Sequence, residues 1–263
     1  MSTVILHSGK IGLEDVKPAM EENWLSRDQS SDSRRSRFAV RISQACLVLL
    51  FLSLGILAFA FWYGDSLSNG GHTASTQKRE IVIRNNVLTV PENAIRFREA
   101  RRDGVTLRLD LYLAWPELEG FTPERRADFN HVDQSRNIIF LAFESQVMSR
   151  DMSNRLEPVY RQVIEARSVQ GPNGIRFHRF TKESGYAGEV LAIGDIGVGV
   201  PPFVARCITG PAAREALAPC DRDVNVGNGL SLTYRFPASL LAEWQRLDDA
   251  ILGKVNSFLH APG

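Results

Sequence analysis

The chain has 263 residues, with 31 lysines and arginines against 30 aspartates and glutamates. After Tyr63 the count is 24 cations to 24 anions, so this part has no long-range field that would gather nucleic acid. About 185 residues follow position 78, which is a common size for one domain and large enough for an apolar core. With three cysteines, the chain is not a small scaffold held together by many disulfides.

Residues 42–63 form a run of 22 positions without a lysine, arginine, histidine, aspartate or glutamate. As a helix, with a rise of about 1.5 Å per residue, this run spans roughly 33 Å, and a bilayer has a hydrocarbon core of about 30 Å. The run ends in Phe61, Trp62 and Tyr63, aromatic side chains typical of the headgroup boundary. We therefore predict a transmembrane signal-anchor helix over residues 38–63.

The charges beside this run predict its orientation. Four arginines precede it, at positions 34, 35, 37 and 41, whereas the next cation after it is Lys78. Because lysine and arginine near a spanning helix stay in the cytoplasm, the N-terminus is predicted to be cytoplasmic and the C-terminal part exported. The alternative is a cleaved signal peptide, since residues 58–60 imitate an A-x-A cleavage site, but the long segment before the apolar run argues against it.

The rest of the chain divides by composition. Residues 1–37 are polar and are predicted to be a disordered cytoplasmic tail, and residues 64–78 have the Gly, Ser and Thr content of a flexible linker. Residues 79–263 are predicted to form the exported domain. None of the eleven asparagines after Tyr63 begins a glycosylation sequon, which favours a bacterial periplasm and an inner-membrane anchor.

Strand patterns open the exported domain. Residues 81–84 and 87–90 are β-branched runs that predict either a hairpin or one bent strand. In residues 105–113 five aliphatic residues alternate with polar ones, which predicts one strand with an apolar face. Residues 138–143 are apolar on both faces, as in a strand covered on two sides. Further strands are predicted at residues 175–180, 186–193, 203–208 and 230–236.

Two helices are predicted to cover the sheet. Asn154 and Glu157 fit a capping box with Pro158 in the first turn, and the helix is expected to reach about residue 165. Behind Pro237 an apolar stripe predicts a C-terminal amphipathic helix; its members are Leu240, Trp244, Leu247, Ile251, Val255 and Phe258. Because helices fall between runs of strands, the predicted fold class is α+β with a mostly antiparallel β-sheet, packed by the internal helix and the C-terminal helix.

The cysteines support export. Cys207 and Cys220 flank a loop rich in Gly, Pro and Ala, and in an oxidising compartment they would form a disulfide. The alternatives are two unrelated core residues or a redox-active pair, although the spacing is not C-x-x-C.

Candidates for chemistry are few, and each has a structural alternative. His131 and Asp133 could act as a base with its orienting carboxylate, or lie in a solvated turn, and His178 is a third candidate. Residues 194–199 look like a phosphate loop but lack its Lys-Ser/Thr ending, so a turn or a bent strand is predicted. Asp221 and Asp223 could contact a cation, but two carboxylates in an exposed loop are usually only solvated, so solvated side chains in such a loop are predicted. No spacing indicates a metal site or a cofactor.

Trp115, Phe121, Arg125 and Arg126 could form an interaction surface for a peptide or glycan, since aromatic and arginine side chains dominate interface energies. The alternative is core aromatic residues beside ordinary charged loops.

Two functions follow from these patterns. The first is a noncatalytic envelope protein whose periplasmic domain binds a protein or cell-wall partner. The alternative is a membrane-tethered periplasmic hydrolase that uses His131, Asp133 or His178.

Overall fold

The computed structural model describes residues 37–60, 70–130 and 137–259, and the chain divides into two compact units, Met1–Gly64 and Asp65–Gly263. In the first unit, helix α1 (Arg37–Ala60) exposes its side chains along its whole length and is long and apolar enough to cross a membrane. It covers most of the predicted anchor, whose residues 61–63 lie outside the described part of the chain.

The second unit contains a small sheet and a large one. In the small sheet β1 (Lys78–Ile83) pairs antiparallel with β2 (Asn86–Pro91) and parallel with the two-residue strand β3 (Gly104–Val105), so the first two predicted runs form a hairpin. The large sheet has eight strands in the order β4-β5-β11-β10-β9-β8-β7-β6, and every pair is antiparallel. Its strands are β4 (Arg108–Ala114), β5 (Ile138–Ser145), β6 (Ile164–Gln170), β7 (Arg176–Phe180), β8 (Glu189–Gly194), β9 (Phe203–Ile208), β10 (Cys220–Val226) and β11 (Leu230–Phe236).

The helices of this unit are short except for the last. They are α2 (Arg126–Phe129), α3 (Arg161–Val163), which continues a π-helical turn (Leu156–Tyr160), α4 (Gly210–Glu215) and α5 (Trp244–Phe258). A 3-10 turn (Ala238–Glu243) leads into α5. The prediction of an α+β fold with a mostly antiparallel sheet is therefore confirmed.

One face of the large sheet, called the first face here, packs against the small sheet and α5 in a single core. All six residues of the predicted C-terminal stripe are buried. The ring of Trp244 lies 5.0 Å from that of Phe203, and its Nε1 donates to the carbonyl oxygen of Asn173 at 3.0 Å. A Cβ at Gly194 would lie 2.8 Å from the Trp244 ring, so this close approach requires glycine.

The opposite, second face carries two separate apolar clusters. The first covers β6 to β9 and consists of Met152, Leu156, Tyr160, Ile164, Phe180, Leu191, Ile193 and Val204. The second lies on β4 and β5 and consists of Tyr112, Ala114, Phe121, Phe129 and Ile138, with His72 stacked on Phe121 at 4.9 Å. Between the clusters the second face is polar, and this gap is where the candidate site lies.

Residues 70–77, which the composition assigns to the linker, are bonded to the folded domain. The backbone amides of Glu92 and Asn93 donate to the carbonyl oxygens of Gln77 and Ser75, each at 2.8 Å. Ordered contacts of this unit therefore begin before β1.

The prediction of one strand over residues 105–113 is wrong at its start. Val105 pairs with the small sheet and the strand of the large sheet begins only at Arg108. The backbone amide of Thr106 donates to the carbonyl oxygen of Val82, so the chain crosses from one sheet to the other at this point. Val105 and Leu107 are therefore 81% and 85% exposed, against 1% or less for Leu109, Leu111 and Leu113.

The predicted internal helix is also shorter than expected. Its helical residues end at Val163 and the chain continues directly as β6, which the sequence patterns did not indicate. Asn154 does not cap the turn as predicted. Its backbone amide instead donates to the carboxylate of Asp151 at 3.0 Å.

The prediction that Asp221 and Asp223 lie in an exposed loop is wrong as well, because both residues lie in β10.

A buried ion pair joins α5 to the large sheet. Arg222 of β10 donates through Nε and Nη2 to the two carboxylate oxygens of Asp248, both at 3.2 Å. The Tyr234 hydroxyl donates to the same carboxylate at 2.6 Å, and the Arg222 Nη1 donates to the Ser153 hydroxyl at 2.7 Å. Arg222 and Asp248 are only 5% and 6% exposed, so each charge depends on the other in a site with little solvent.

We expect Asp248→Ala to lower the free energy of unfolding by about 3 to 5 kcal/mol, because it leaves the Arg222 guanidinium buried without its counter-ion. Asp249→Ala is the matched control, since Asp249 is the next residue of the same helix and is exposed. Urea unfolding of both variants measures the difference. The double variant Arg222→Met with Asp248→Leu should recover much of the loss. If Asp248→Ala and Asp249→Ala had equal free energies of unfolding, a structural role for the Arg222–Asp248 pair would be contradicted.

Candidate functional site

A pocket of about 340 Å³ lies on the second face, between the two apolar clusters. Strands β5, β9, β10 and β11 form its floor, and the segment from residue 145 to residue 160 forms one wall. Polar side chains reach the floor because they alternate with core residues along these strands. In the register of the sheet Glu144 lies opposite Ser231, which in turn lies opposite Asn225, and Thr233 lies opposite Asp223.

Two arginines pair with the two aspartates that line this pocket. The Nη2 of Arg206 lies 3.2 Å from an Asp221 carboxylate oxygen, and its Nε lies 2.9 Å from the Glu189 carboxylate, at an angle that does not make a hydrogen bond. Arg155 pairs with Asp223 across the pocket wall. Each guanidinium also lies over a tyrosine ring, because Tyr160 and Tyr186 stand beside the floor.

Burial shifts the pKa of the two aspartates on the floor. It raises the pKa of the Asp221 carboxyl above its ordinary value, although Arg206 acts in the opposite direction. Burial also raises the pKa of Asp223; Arg155 opposes this shift, whereas the nearby Asp151 adds to it. The pocket is thus a partly desolvated set of paired charges.

The lining offers little for nucleophilic catalysis. It includes the hydroxyls of Ser145, Ser231 and Thr233, but none of the described residues that line the pocket is a histidine or a cysteine. A serine or threonine nucleophile needs an adjacent base, and the carboxylates on the floor are engaged by arginines. The described lining therefore offers hydroxyls and paired charges that can hydrogen-bond to a polar ligand.

Exposed aliphatic side chains collect at the end of the large sheet where Val147 and Met148 line the pocket, and we call this side of the pocket its mouth. At this end β5 and β8 finish and β4 and β9 begin. Seven side chains from β3 and the loops here are at least 44% exposed, and we call them the apolar end: Val105, Leu107, Val147, Met148, Ile196, Val198 and Val200. Val147 and Met148 also line the pocket, so the two features are continuous.

The structure joins Cys207 and Cys220 in a disulfide, as the sequence predicts. The two residues lie directly opposite each other in the pairing of β9 with β10. They stand at the end of the sheet opposite the apolar end. The bridge therefore ties the central strands together away from the pocket mouth.

Of the three histidine and aspartate candidates, His178 is the one among the described residues, and it does not line this pocket. His178 lies in β7, is 6% exposed and donates through Nδ1 to the carbonyl oxygen of Glu165 at 3.1 Å. That arrangement is typical of a satisfied core histidine. His131 and Asp133 lie outside the described residues. A catalytic role for these three residues stays a prediction.

The four residues of the predicted interaction surface have structural contacts. Trp115 is buried and donates through Nε1 to Glu243, and Phe121 is fully buried in the second apolar cluster. Arg125 pairs with the carboxylates of Glu117 and Asp128, at 2.6 Å and 3.1 Å, and Arg126 begins α2. Burial of both aromatic side chains favours the structural alternative, and an interaction role for this group stays a prediction.

Residues 194–199, the segment that resembles a phosphate loop, lie at the apolar end. They join β8 to an exposed turn, with Gly197 and Gly199 at φ values of 131° and 84°. Ile196 and Val198 are exposed, Val198 fully, and the Asp195 carboxylate accepts the Gly197 amide at 3.0 Å. The segment is thus a turn, as predicted, with an apolar surface that the sequence patterns did not single out.

Neither a protein-family model nor a curated protein sequence matches this chain. Two solved structures are similar to it at low identity. An immunity protein of the Stenotrophomonas maltophilia type IV secretion system is 14% identical, covers 73% of this chain and 96% of its own, and has a TM-score of 0.46. The Neisseria meningitidis iron-regulated outer membrane lipoprotein FrpD is 12% identical, covers 70% of this chain and 95% of its own, and has a TM-score of 0.39. At these values the likeness is not a basis for transferring a function.

We expect the pocket carboxyls to make stability depend on pH. Because burial raises the folded pKa of Asp221 and Asp223, the folded protein binds more protons than the unfolded chain between the unfolded and folded pKa values. Their contribution to the free energy of unfolding should therefore fall as the pH rises through that window. Urea unfolding at a series of acidic pH values should show this slope, reduced in Asp221→Asn with Asp223→Asn and unchanged in the exposed control Asp249→Asn. An unchanged slope in the double variant would contradict the assignment.

Proposed function

We propose that this chain is a single-pass inner-membrane protein of a bacterial envelope whose periplasmic domain binds a protein partner and catalyses no reaction. Helix α1 is the proposed anchor, since all of its side chains are exposed and its length suits a bilayer. The arginines on its N-terminal side favour a cytoplasmic N-terminus. A disulfide in the second unit fits an oxidising compartment.

The observation that carries the binding role is the apolar end beside the charged pocket. Soluble domains rarely leave many large aliphatic side chains exposed in one region, and such regions mark interaction sites. Val198 and Val147 are almost fully exposed, and so are Leu107 and Val105. A partner that covers them would remove apolar area from water at roughly 25 cal/mol per Å².

The pocket favours a protein partner over lipid or glycan. A bilayer interior offers no polar group to the hydroxyls, amide and paired charges that line the pocket, which would exchange water for hydrocarbon. A glycan could bond to these groups but would leave the aliphatic side chains in water. A protein surface supplies both apolar and polar side chains, as interface cores and rims do.

The first test concerns topology. A reporter that is active only in the periplasm, fused after Gly263, should be active in a Gram-negative host, and the full-length chain should resist carbonate extraction. Replacing the four arginines at positions 34, 35, 37 and 41 with glutamate should reduce the reporter signal, because the charge bias that sets the orientation is removed. Cytoplasmic activity of the unmutated fusion would contradict the proposed anchor.

The second test concerns the partner. A photo-crosslinking residue at Val147 or Val198 of the full-length protein should yield a crosslinked band in the native host. The same residue at Glu215, an exposed position of α4 in the loop between Cys207 and Cys220, should not. Glu144→Lys should weaken the Val147 crosslink about tenfold, because a reversed charge at the pocket mouth leaves the partner's polar group unpaired. Equal labelling from Glu215 and Val147 would remove the case for a specific surface at the apolar end.

A further inference from the structure

A second surface, separate from the charged pocket, lies on the first face of the large sheet. It is a trough of about 400 Å³ over β6 to β9, next to the 3-10 turn that leads into α5. Its apolar walls include Val169 of β6, Phe177 of β7, Val190 of β8 and Leu241 of the 3-10 turn. Val169 and Phe177 are paired in the sheet, so their side chains form one continuous row.

The trough runs alongside an open sheet edge. Strand β6 is the last strand of the large sheet and pairs only with β7 among the described strands. A β-bulge shifts the register between Ile164 and Ser168, which leaves Ser168, Val169 and Gln170 as the regularly paired stretch. An edge of this kind presents backbone amides and carbonyls to an added strand, over a short length.

The charge of the trough is positive. Arg179 of β7 is the one ionisable side chain that lines it, and no described carboxylate forms an ion pair with Arg179. Arg179 stands two residues from Phe177, on the same side of β7, so its guanidinium follows the apolar row along the strand. A segment that complements this surface has an apolar side chain and, two residues further along its sequence, a carboxylate.

We propose that an extended segment of a partner protein adds to the outer edge of β6 and places alternate side chains, aliphatic and then acidic, in this trough. The backbone of the segment bonds to the edge, as in other complexes formed by strand addition, and the trough selects its side chains. Backbone pairing sets a protein segment apart from an acyl chain, which could fill the apolar walls and meet Arg179 but has no amide to give to β6. This surface goes beyond the proposed function, which rests on the charged pocket and the apolar end.

The probe is a short fluorescent peptide with two valines and one glutamate at alternate positions and serines between them. It is titrated against the full-length protein in lipid nanodiscs, and anisotropy reports binding. Arg179→Glu should weaken binding about tenfold or more, because the peptide carboxylate then meets a like charge. Arg176→Glu is the matched control, since Arg176 is an exposed arginine of the same strand that does not line the trough. Replacing the peptide glutamate with lysine should restore binding to the Arg179→Glu variant.

A second peptide with methylated amides at alternate positions tests the backbone contribution, because methylation removes the hydrogen bonds to the edge while keeping the side chains. It should not bind detectably. Unaltered binding of this peptide would overturn strand addition, and so would equal effects of Arg179→Glu and Arg176→Glu. Failure of the parent peptide to bind at millimolar concentration would overturn the proposal as well. If the trough instead bound laurate in an Arg179-dependent way and not the peptide, it would be an amphiphile site. The Val147 crosslink tests the proposed function at the apolar end, so its result does not depend on any of these outcomes.

Discussion

The buried pair of Arg222 and Asp248 is the constraint on which the arrangement of the domain depends. Arg222 lies in the middle of β10, where its guanidinium meets Asp248 of α5, the Ser153 hydroxyl and the carbonyl oxygen of Val204. These contacts tie the helix, two strands and the segment before α3 to one charge. Since successive side chains of a strand point to opposite faces, fixing Arg222 on the first face sends Asp221 and Asp223 to the second. A register slip of one residue would bury both carboxylates in the apolar core and expose the arginine.

The charged pocket is a consequence of this choice of faces. Neither apolar cluster of the second face extends over β10 and β11, because Asp223, Ser231 and Thr233 occupy the positions between them. The chain after β5 closes one side of the gap through Arg155, which pairs with Asp223, and through the Met152 amide, which donates to the Asp223 carbonyl oxygen. The same chain carries Val147 and Met148 to the mouth of the pocket. Apolar and charged groups therefore meet at one end of the sheet because one segment supplies both.

Much of the fold could be predicted because its strands and last helix carry periodic apolar patterns. The alternation in β11 and the stripe of α5 are strong enough that the structure buries the residues that the patterns select. Strand β10 was missed because its alternation is partly polar: Arg222 occupies a core position, and a period of two in charged residues gives no hydrophobic signal. Strand β6 was missed because most of its side chains are exposed, as befits an edge strand. The candidate site could not be predicted, since it depends on register between strands far apart in the sequence, such as Glu144 opposite Ser231.

The two edges of the large sheet differ in a way that bears on the partners of the domain. The edge at β4 is covered, because Ile95 bridges to Leu111 and the Arg96 amide donates to the Asp110 carbonyl oxygen. The edge at β6 carries Glu165 and Arg167 around a bulge, features that oppose pairing between identical long edges. A short segment of different sequence avoids this penalty, because its backbone can pair with the regular stretch from Ser168 to Gln170. Features that disfavour pairing between identical edges thus leave room for a short strand of the proposed kind.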